Sequence, residues 1–373
     1  RQRQMCIRDR YKLHKQRQNM MTEKIDIKSL SYTELETFIT ELGGQKFRTG
    51  QVFGWLHQKH VTSFDEMSNL SKNFREKLEQ TCSIVNLKPV KILTSQIDDT
   101  QKYLFELADG NIIESVLMKY HHGNSVCIST QVGCRMGCRF CASTLDGLER
   151  NLSPSEMLDE IYRIEQSSGE KVSNIVLMGS GEPLDNYDNV LKFIGLITDE
   201  RGTNISNRNI TLSTCGLVPQ IYRLAEEKLG LTLAISLHAS DDETRRTLMP
   251  IANKYTISEI LEACRHYFDR TGRRISFEYS LVAGVNDTAA EAKKLAALLN
   301  GMNCHVNLIP VNPIKERTFK RSDREAVERF RDFLTGKGIN ATIRREMGSD
   351  INGACGQLRK SYTESIVTKE GDT

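Results

Sequence analysis

Short apolar runs at residues 125–129, 174–178, 209–213, 231–236, 274–280, 306–309 and 341–344 alternate with stretches of helical periodicity. Strands joined through helices run parallel, so this order predicts a barrel or an open α/β sheet, with ligands at the C-terminal strand ends. The best-marked helix starts at Ser153. Pro154 takes its first position, Glu156 closes a capping box, and Met157, Leu158, Ile161 and Ile164 share one side. Another is predicted to start at Ser322, with Glu325 three residues on.

The alternation begins late in the chain. Residues 21–85 read as a small helical module: Ser31 and Glu34 form a capping box, Leu35, Phe38, Ile39 and Leu42 fall on one face, and Gly43-Gly44 ends the helix. A second helix points Val52, Trp55 and Leu56 inward, and Ser71 caps a third through Phe74 and Leu78. Residues 86–122 read as a β-hairpin linker turning at Ala108-Asp109-Gly110, 123–350 as the main α/β domain, and 351–373 as a C-terminal segment.

Residues 1–20 differ in character, with seven Lys or Arg and one Asp. They read as a non-native or disordered segment, with the start at Met20 or Met21; the alternative is a basic arm that grips RNA. Without them the formal charge of +3 becomes −3, from 44 basic and 47 acidic residues. Net charge therefore gives no argument for nucleic acid. RNA contacts would need local patches such as Lys315, Arg317, Lys320, Arg321 and Arg324, or Arg344 and Arg345. No apolar run reaches the roughly 20 residues of a membrane span, and a cytoplasmic protein is expected. Ten cysteines in a chain of 373 residues do not make a disulfide scaffold.

Three of those cysteines carry the chemistry. Cys134, Cys138 and Cys141 stand in Gly-Cys-Arg-Met-Gly-Cys-Arg-Phe-Cys. A three-thiolate set leaves one iron of a four-iron cluster free to bind a small molecule. The other readings are a zinc site with Cys127 as fourth ligand, or inert buried thiols. Gly133 and Gly137 suit a loop whose backbone stays close to a cluster, and Phe140 shields it or packs in the core. Gly181-Glu182-Pro183-Leu184 follows a strand, where glycine permits close approach and Glu182 offers acceptors to an ammonium or hydroxyl. Ser213, Ser236, Leu237, His238 and Asn312 also end strands.

From about residue 123 to 356 these motifs resemble the radical S-adenosylmethionine superfamily. The resemblance implies a partial (β/α)6 barrel, a [4Fe-4S] cluster on Cys134, Cys138 and Cys141, and S-adenosylmethionine against Gly181, Glu182, Ser213, Ser236, Leu237, His238 and Asn312. The cluster's electron would split the cofactor into a 5′-deoxyadenosyl radical. Two further thiols sharpen it. Cys127 lies seven residues before Cys134, and Cys355 sits in a glycine-flanked loop near the end. With them the chain is similar to RlmN-type RNA methyltransferases, which make 2-methyladenine in 23S rRNA and tRNA.

That resemblance implies two S-adenosylmethionine molecules per turnover, a methyl group carried on Cys355, an RNA crosslink resolved by Cys127, and Glu114 as proton acceptor. It implies a flavodoxin or ferredoxin as electron donor, a cytosolic thiol reductant, no membrane and a monomer. The N-terminal module resembles an accessory RNA-binding domain. Rival readings are a Cfr-type adenine C8 methyltransferase, a glycyl-radical activase and a non-enzymatic zinc RNA-binding protein. Cys6, Cys82, Cys215, Cys264 and Cys304 receive no role.

Overall fold

The computed structural model describes residues 24–121 and 123–358. The reading of segment 1–20 lies outside them, as does the end of the C-terminal segment. The chain divides into two compact units at residues 86 and 87.

The first unit holds three helices, α1 (Tyr32–Glu41), α2 (Phe47–His57) and α3 (Lys72–Thr81), and a short parallel pair, β1 (Ile25–Asp26) with β2 (Cys82–Ser83). Both bonds of the Ser31–Glu34 capping box form at the start of α1, satisfying amide groups that the first turn leaves open. Leu35, Ile39, Val52, Phe53, Leu56 and Leu78 make the core. Trp55 is only half-buried: its Nε1 donates to Asn69 Oδ1 at 2.6 Å, and Lys59 Nζ lies 3.8 Å over its ring.

The second unit is built on one ten-stranded sheet. Its antiparallel edge is β3 (Lys88–Thr94), β4 (Gln101–Glu106) and β5 (Ile112–Met118). Parallel strands follow: β6 (Asn124–Cys127), then, after a small separate pair β7 (Gln131–Gly133) and β8 (Leu148–Asn151), β9 (Val172–Leu177), β10 (Ile210–Thr214), β11 (Thr232–Ser236), β12 (Ile275–Leu281), β13 (Cys304–Pro310) and β14 (Asn340–Ile343). Because β5 pairs antiparallel with β6, strands β3 to β5 continue the main sheet at its antiparallel edge.

The helices between parallel strands are α4 (Pro154–Ser168), α5 (Tyr187–Ile197), α6 (Val218–Glu227), α7 (Asp242–Leu248) with α8 (Ile257–Thr271), α9 (Ala289–Leu299) and α10 (Arg324–Gly336). From β6 to β14 each parallel strand pairs with the next in chain order, without a reversal. Right-handed crossovers then lie on one face, so the sheet curls as a barrel wall instead of being doubly wound. That choice was open in the sequence. The barrel has β/α units from β6 through α10, with β14 as the last strand.

Residues facing the helices, such as Ile175, Leu177, Leu212, Ile235, Phe277 and Val306, are buried. On the other face Thr211, Ser213, Thr232, Ser236 and Asn307 keep exposed surface, so the barrel's lumen is polar. A core between sheet and helices, with functional groups inside the wall, follows from this split.

One cap differs from the sequence reading. Asp323, not Ser322, caps α10 by accepting from Ala326 N at 2.7 Å. A carboxylate suits the positive helix end better than a hydroxyl, and Ser322 Oγ donates to Asp287 Oδ2 at 2.7 Å. The α4 box forms as read: Ser153 Oγ accepts from Glu156 N at 3.2 Å, and Glu156 Oε2 from Ser153 N at 2.8 Å. Ser153→Ala should cost about 1 kcal/mol, lowering the thermal midpoint by about 2 °C; an unchanged midpoint would contradict this role of the cap.

Candidate active site

The thiol loop springs from the narrow neck formed by β7 and β8. Cys134 N donates to Gly147 O at 3.0 Å, and Arg139 N to Leu248 O at 2.9 Å, fixing both sides of the loop. Gly133 has φ +74°, and a Cβ there would stand 1.9 Å from Gly147 O, so only glycine fits the neck. Cys134, Cys138, Phe140 and Cys141 line one wall of a cavity at the C-terminal strand ends. Burial pushes the Cys134 thiol up to about 12, and burial with the neighbouring thiols also raises Cys138.

The Cys138 sulfur lies close enough to Cys141 and Cys134 for each to raise its pKa, and three clustered thiols are the donor set that a [4Fe-4S] cluster with one open iron takes. The donor chemistry fits too, since buried thiols become thiolates when cationic iron replaces their protons.

The opposite wall carries the strand-end residues. Glu182 is buried, its carboxylate accepting from Cys215 N at 2.8 Å and Leu184 N at 3.0 Å. Burial raises its pKa, and these amide bonds oppose that rise. Gly181 has φ +108°, and a Cβ would fall 2.7 Å from Gln131. Ser213, Ser236 and Asn312 line the same cavity. His238 has φ +55° and accepts from Ser280 N through Nδ1 at 2.9 Å. Burial and Arg245 depress its pKa to about 3, so the ring is neutral with its proton on Nε2. Phe140 stands edge-on to His238, 4.8 Å between ring centres. Leu237 is fully buried and lies outside the cavity lining; its backbone N donates to Glu278 O at 3.1 Å.

Cys355 enters from the C-terminal segment. Its own carbonyl accepts from Asn312 Nδ2 at 3.1 Å, Gly356 O accepts from Ala142 N at 2.8 Å, and Leu358 O accepts from Ser143 Oγ at 2.9 Å. Cys127 and Cys355 line a second, smaller cavity together with Met178 and Arg344. The Cys355 residue keeps solvent-exposed surface although neighbours crowd its sulfur, and that crowding raises its pKa. Burial, then Cys355, push Cys127 up to about 12, while Arg344 pulls it down.

Arg344 was read from the sequence as part of a surface patch. It instead points inward from the end of β14, with Nη1 3.5 Å from Met178 Sδ and 3.8 Å from Glu278 Oε2. Burial would lower its pKa, but Cys355, Glu278 and Cys127 outweigh that and keep it charged. Of the other patch residues, Arg321 pairs with Glu346 and Arg324 with Glu328. The sequence reading missed Glu278, Met178 and the inward role of Arg344. The signal was available, since Met178 and Arg344 directly follow strands, as Leu237 does. Glu114 lies on β5 two residues before Val116, the partner of Cys127, but lines neither cavity. Its Oε1 pairs with Lys102 Nζ at 3.1 Å, and Lys102 Nζ also reaches Asn352 O at 3.3 Å.

Two family models match the chain: the Ribosomal RNA large subunit methyltransferase N-terminal domain over residues 25–84, and the Radical SAM superfamily over 128–297. A solved radical SAM methyltransferase from Sphaerobacter thermophilus aligns with a TM-score of 0.86 at 42% identity, covering 90% of this chain and 100% of that one. Fold and match define a radical S-adenosylmethionine methyltransferase, a class that uses a [4Fe-4S] cluster and S-adenosylmethionine. A relative from Lachnospira eligens is 63% identical over 346 residues, 93% of this chain and 99% of its own length. Another, from Lachnoclostridium phytofermentans, is 60% identical over 350 residues, 94% of this chain and 98% of its own. Both bear the name probable dual-specificity RNA methyltransferase RlmN. The chain belongs to the RlmN family of RNA methyltransferases, and is a transferase acting on RNA. The activase and zinc-protein readings are thereby set aside. Among the described residues no helix is long and apolar enough to cross a membrane.

Gly133→Ala should yield protein with sharply reduced iron and sulfide after anaerobic reconstitution; full loading would show that the neck tolerates a side chain. Because Cys127 titrates near 12, its alkylation by iodoacetamide should rise about tenfold per pH unit from about pH 7 to about pH 10. A plateau below about pH 9 would mean a thiol with ordinary or lowered pKa.

Proposed function

We propose that the chain methylates C2 of an adenine in 23S rRNA and in tRNA, through a methyl group carried on Cys355 and an RNA crosslink resolved by Cys127. The observation that carries this reading is the shared cavity of Cys127 and Cys355, opening beside the thiol-lined pocket. Two sulfurs in one cavity have no use in a plain methyl transfer to a nucleophilic atom.

C2 of adenine lies between two ring nitrogens and is too electron-poor to attack a sulfonium methyl. Another atom must take the methyl first. Cys355 is suited to this, because its loop holds the backbone by the Asn312 and Ala142 bonds while leaving the side chain reachable. Arg344 favours the thiolate needed for that displacement. Cys134, Cys138 and Cys141 would hold the cluster, and Glu182, Gly181, Ser213, Ser236, His238 and Asn312 would orient S-adenosylmethionine. Leu237 would contribute backbone groups only.

When bound, the cluster and a second S-adenosylmethionine supply the carbon radical that takes hydrogen from the Cys355 methyl. The methylene carbon then joins C2 while still bonded to the Cys355 sulfur, and the adduct loses one electron, for which the cluster would be the acceptor, and the C2 proton. Cys127 attacks that sulfur while its proton passes to the leaving methylene carbon, which becomes the methyl of the released RNA, and a Cys127–Cys355 disulfide remains for a thiol to reduce. The C2 proton would go to Cys127, which shares the cavity of Cys355, whereas Glu114, on the paired strand β5, lines neither cavity. Lys102, on the neighbouring strand β4, donates to Asn352 O and so ties the loop of Cys355 to the antiparallel edge of the sheet. A flavodoxin or ferredoxin would supply electrons, and a base in an RNA loop is the least costly to unstack.

Without Cys127 the crosslink has no exit. Cys127→Ala incubated with S-adenosylmethionine, reductant and unmodified RNA should carry RNA that survives denaturing electrophoresis, and the further change Cys355→Ala should abolish it. RNA methylation by Cys355→Ala protein would overturn the proposal.

A further inference from the structure

Behind the two upper cavities the barrel lumen continues as a third. Its volume is about 480 Å³, against about 130 Å³ for the thiol-lined pocket and about 40 Å³ for the Cys127–Cys355 cavity by the same measure. A polar cavity needs only about 10–15 Å³ of such volume per water, so this one is a hydrated bore. Thr211 and Thr232 lie near the starts of β10 and β11, and Arg273 and Arg274 just precede β12, so its outer mouth is at the N-terminal strand ends. Met178 and Arg344 line all three cavities, so these two side chains, 3.5 Å apart, form the partition between the inner end of the bore and the Cys127–Cys355 cavity.

The lining is built for an anionic solute. Arg273 and Arg274 stand at the mouth, and the only acid in the lining is Glu278, at the inner end beside Arg344. Arg273 donates to Thr232 Oγ1 at 3.1 Å through Nη2, while its Nε and His305 Nδ1 are buried with no hydrogen-bond partner among the described residues. Farther in, Asn307 Nδ2 donates to Glu278 Oε1 at 2.9 Å, so the acid is partly occupied by the wall. Charges at one mouth of a low-dielectric channel concentrate solutes of opposite sign.

We infer that this bore is a second entrance to the Cys127–Cys355 pair, selective for small anions and used by a small anionic thiol reductant. The inference rests on the proposed cycle, which leaves a disulfide in a cavity whose other approach is the side that RNA must occupy. Two thiol molecules give two electrons and two protons to the disulfide, which becomes two cysteine thiols, and leave joined as their own disulfide. Entry through the bore lets this happen without passage through the nucleotide side.

The route can be tested without turnover. In full-length, cluster-loaded Cys355→Ala protein, kept anaerobic with S-adenosylmethionine and substrate RNA, Cys127 would be labelled with 2-sulfonatoethyl methanethiosulfonate or its cationic 2-(trimethylammonio)ethyl counterpart. Labelling would be read on the Cys127 peptide by mass spectrometry. The anion should react several-fold faster, and Arg274→Glu, an exposed position, should remove or reverse that preference, with Arg274→Gln between. Equal or faster reaction of the cation, a preference untouched by Arg274→Glu, or loss of labelling when RNA and S-adenosylmethionine are added would overturn the bore as an entrance. None of these results depends on methyl transfer. Conversely, a failure of Cys355 to carry methyl would leave the labelling result standing.

Discussion

The backbone hydrogen bond from Ala142 N to Gly356 O joins the thiol loop to the loop of Cys355. Everything proposed for the site depends on that juncture, because chemistry on a methyl group carried by Cys355 requires its sulfur beside the thiol-lined pocket. Ser143 and Asn312 reinforce it from two sides. All three contacts accept at backbone carbonyls, so the segment is held while the cysteine side chain stays free to react. Its single net hydrogen-bond energy is modest, about 1 kcal/mol. Apolar packing adds to it, since Leu358 and Met347 are buried against Val116, Met118 and Cys127.

Beneath that juncture the barrel departs from the filled interior of a complete (β/α)8 barrel. Apolar residues on the helix-facing side carry the packing, while the lumen side of β10 to β14 holds serine, threonine, asparagine and histidine. Register explains how these line up: Glu278 pairs with Asn307, and Asn307 with Thr342, making one polar layer across three strands. Stability and chemistry are thus assigned to opposite faces of one sheet. Arg344, at the end of the last strand, brings positive charge to the centre where the cavities meet.

Much of this frame was legible in the sequence. Parallel strands buried under helices read as short apolar runs, and Ser31 and Ser153 announced their helices because capping chemistry is local. The barrel wall itself was not legible from periodicity, since alternation cannot say whether strand order reverses. Arg344 misled because a strand-end residue points into the lumen or away from it according to register, which one segment does not reveal. The pairing of Lys102 with Glu114 likewise depends on how β4 and β5 align. Ser322 and Asp323 are both good caps, and neighbouring side chains decided between them. The cysteines were the opposite case: their spacing named a chemistry before any fold was known.

The central claim is that two sulfurs and a radical serve one carbon, C2 of adenine. It is tested most directly by incubating anaerobically reconstituted protein with S-adenosylmethionine, a reductant and unmodified ribosomal RNA, and identifying the methylated nucleoside by mass spectrometry against 2-methyladenosine and 8-methyladenosine standards. The account predicts 2-methyladenosine. 8-Methyladenosine would contradict the assigned carbon while keeping the two-cysteine cycle, and no methylated adenosine from protein with a full cluster would contradict the account as a whole.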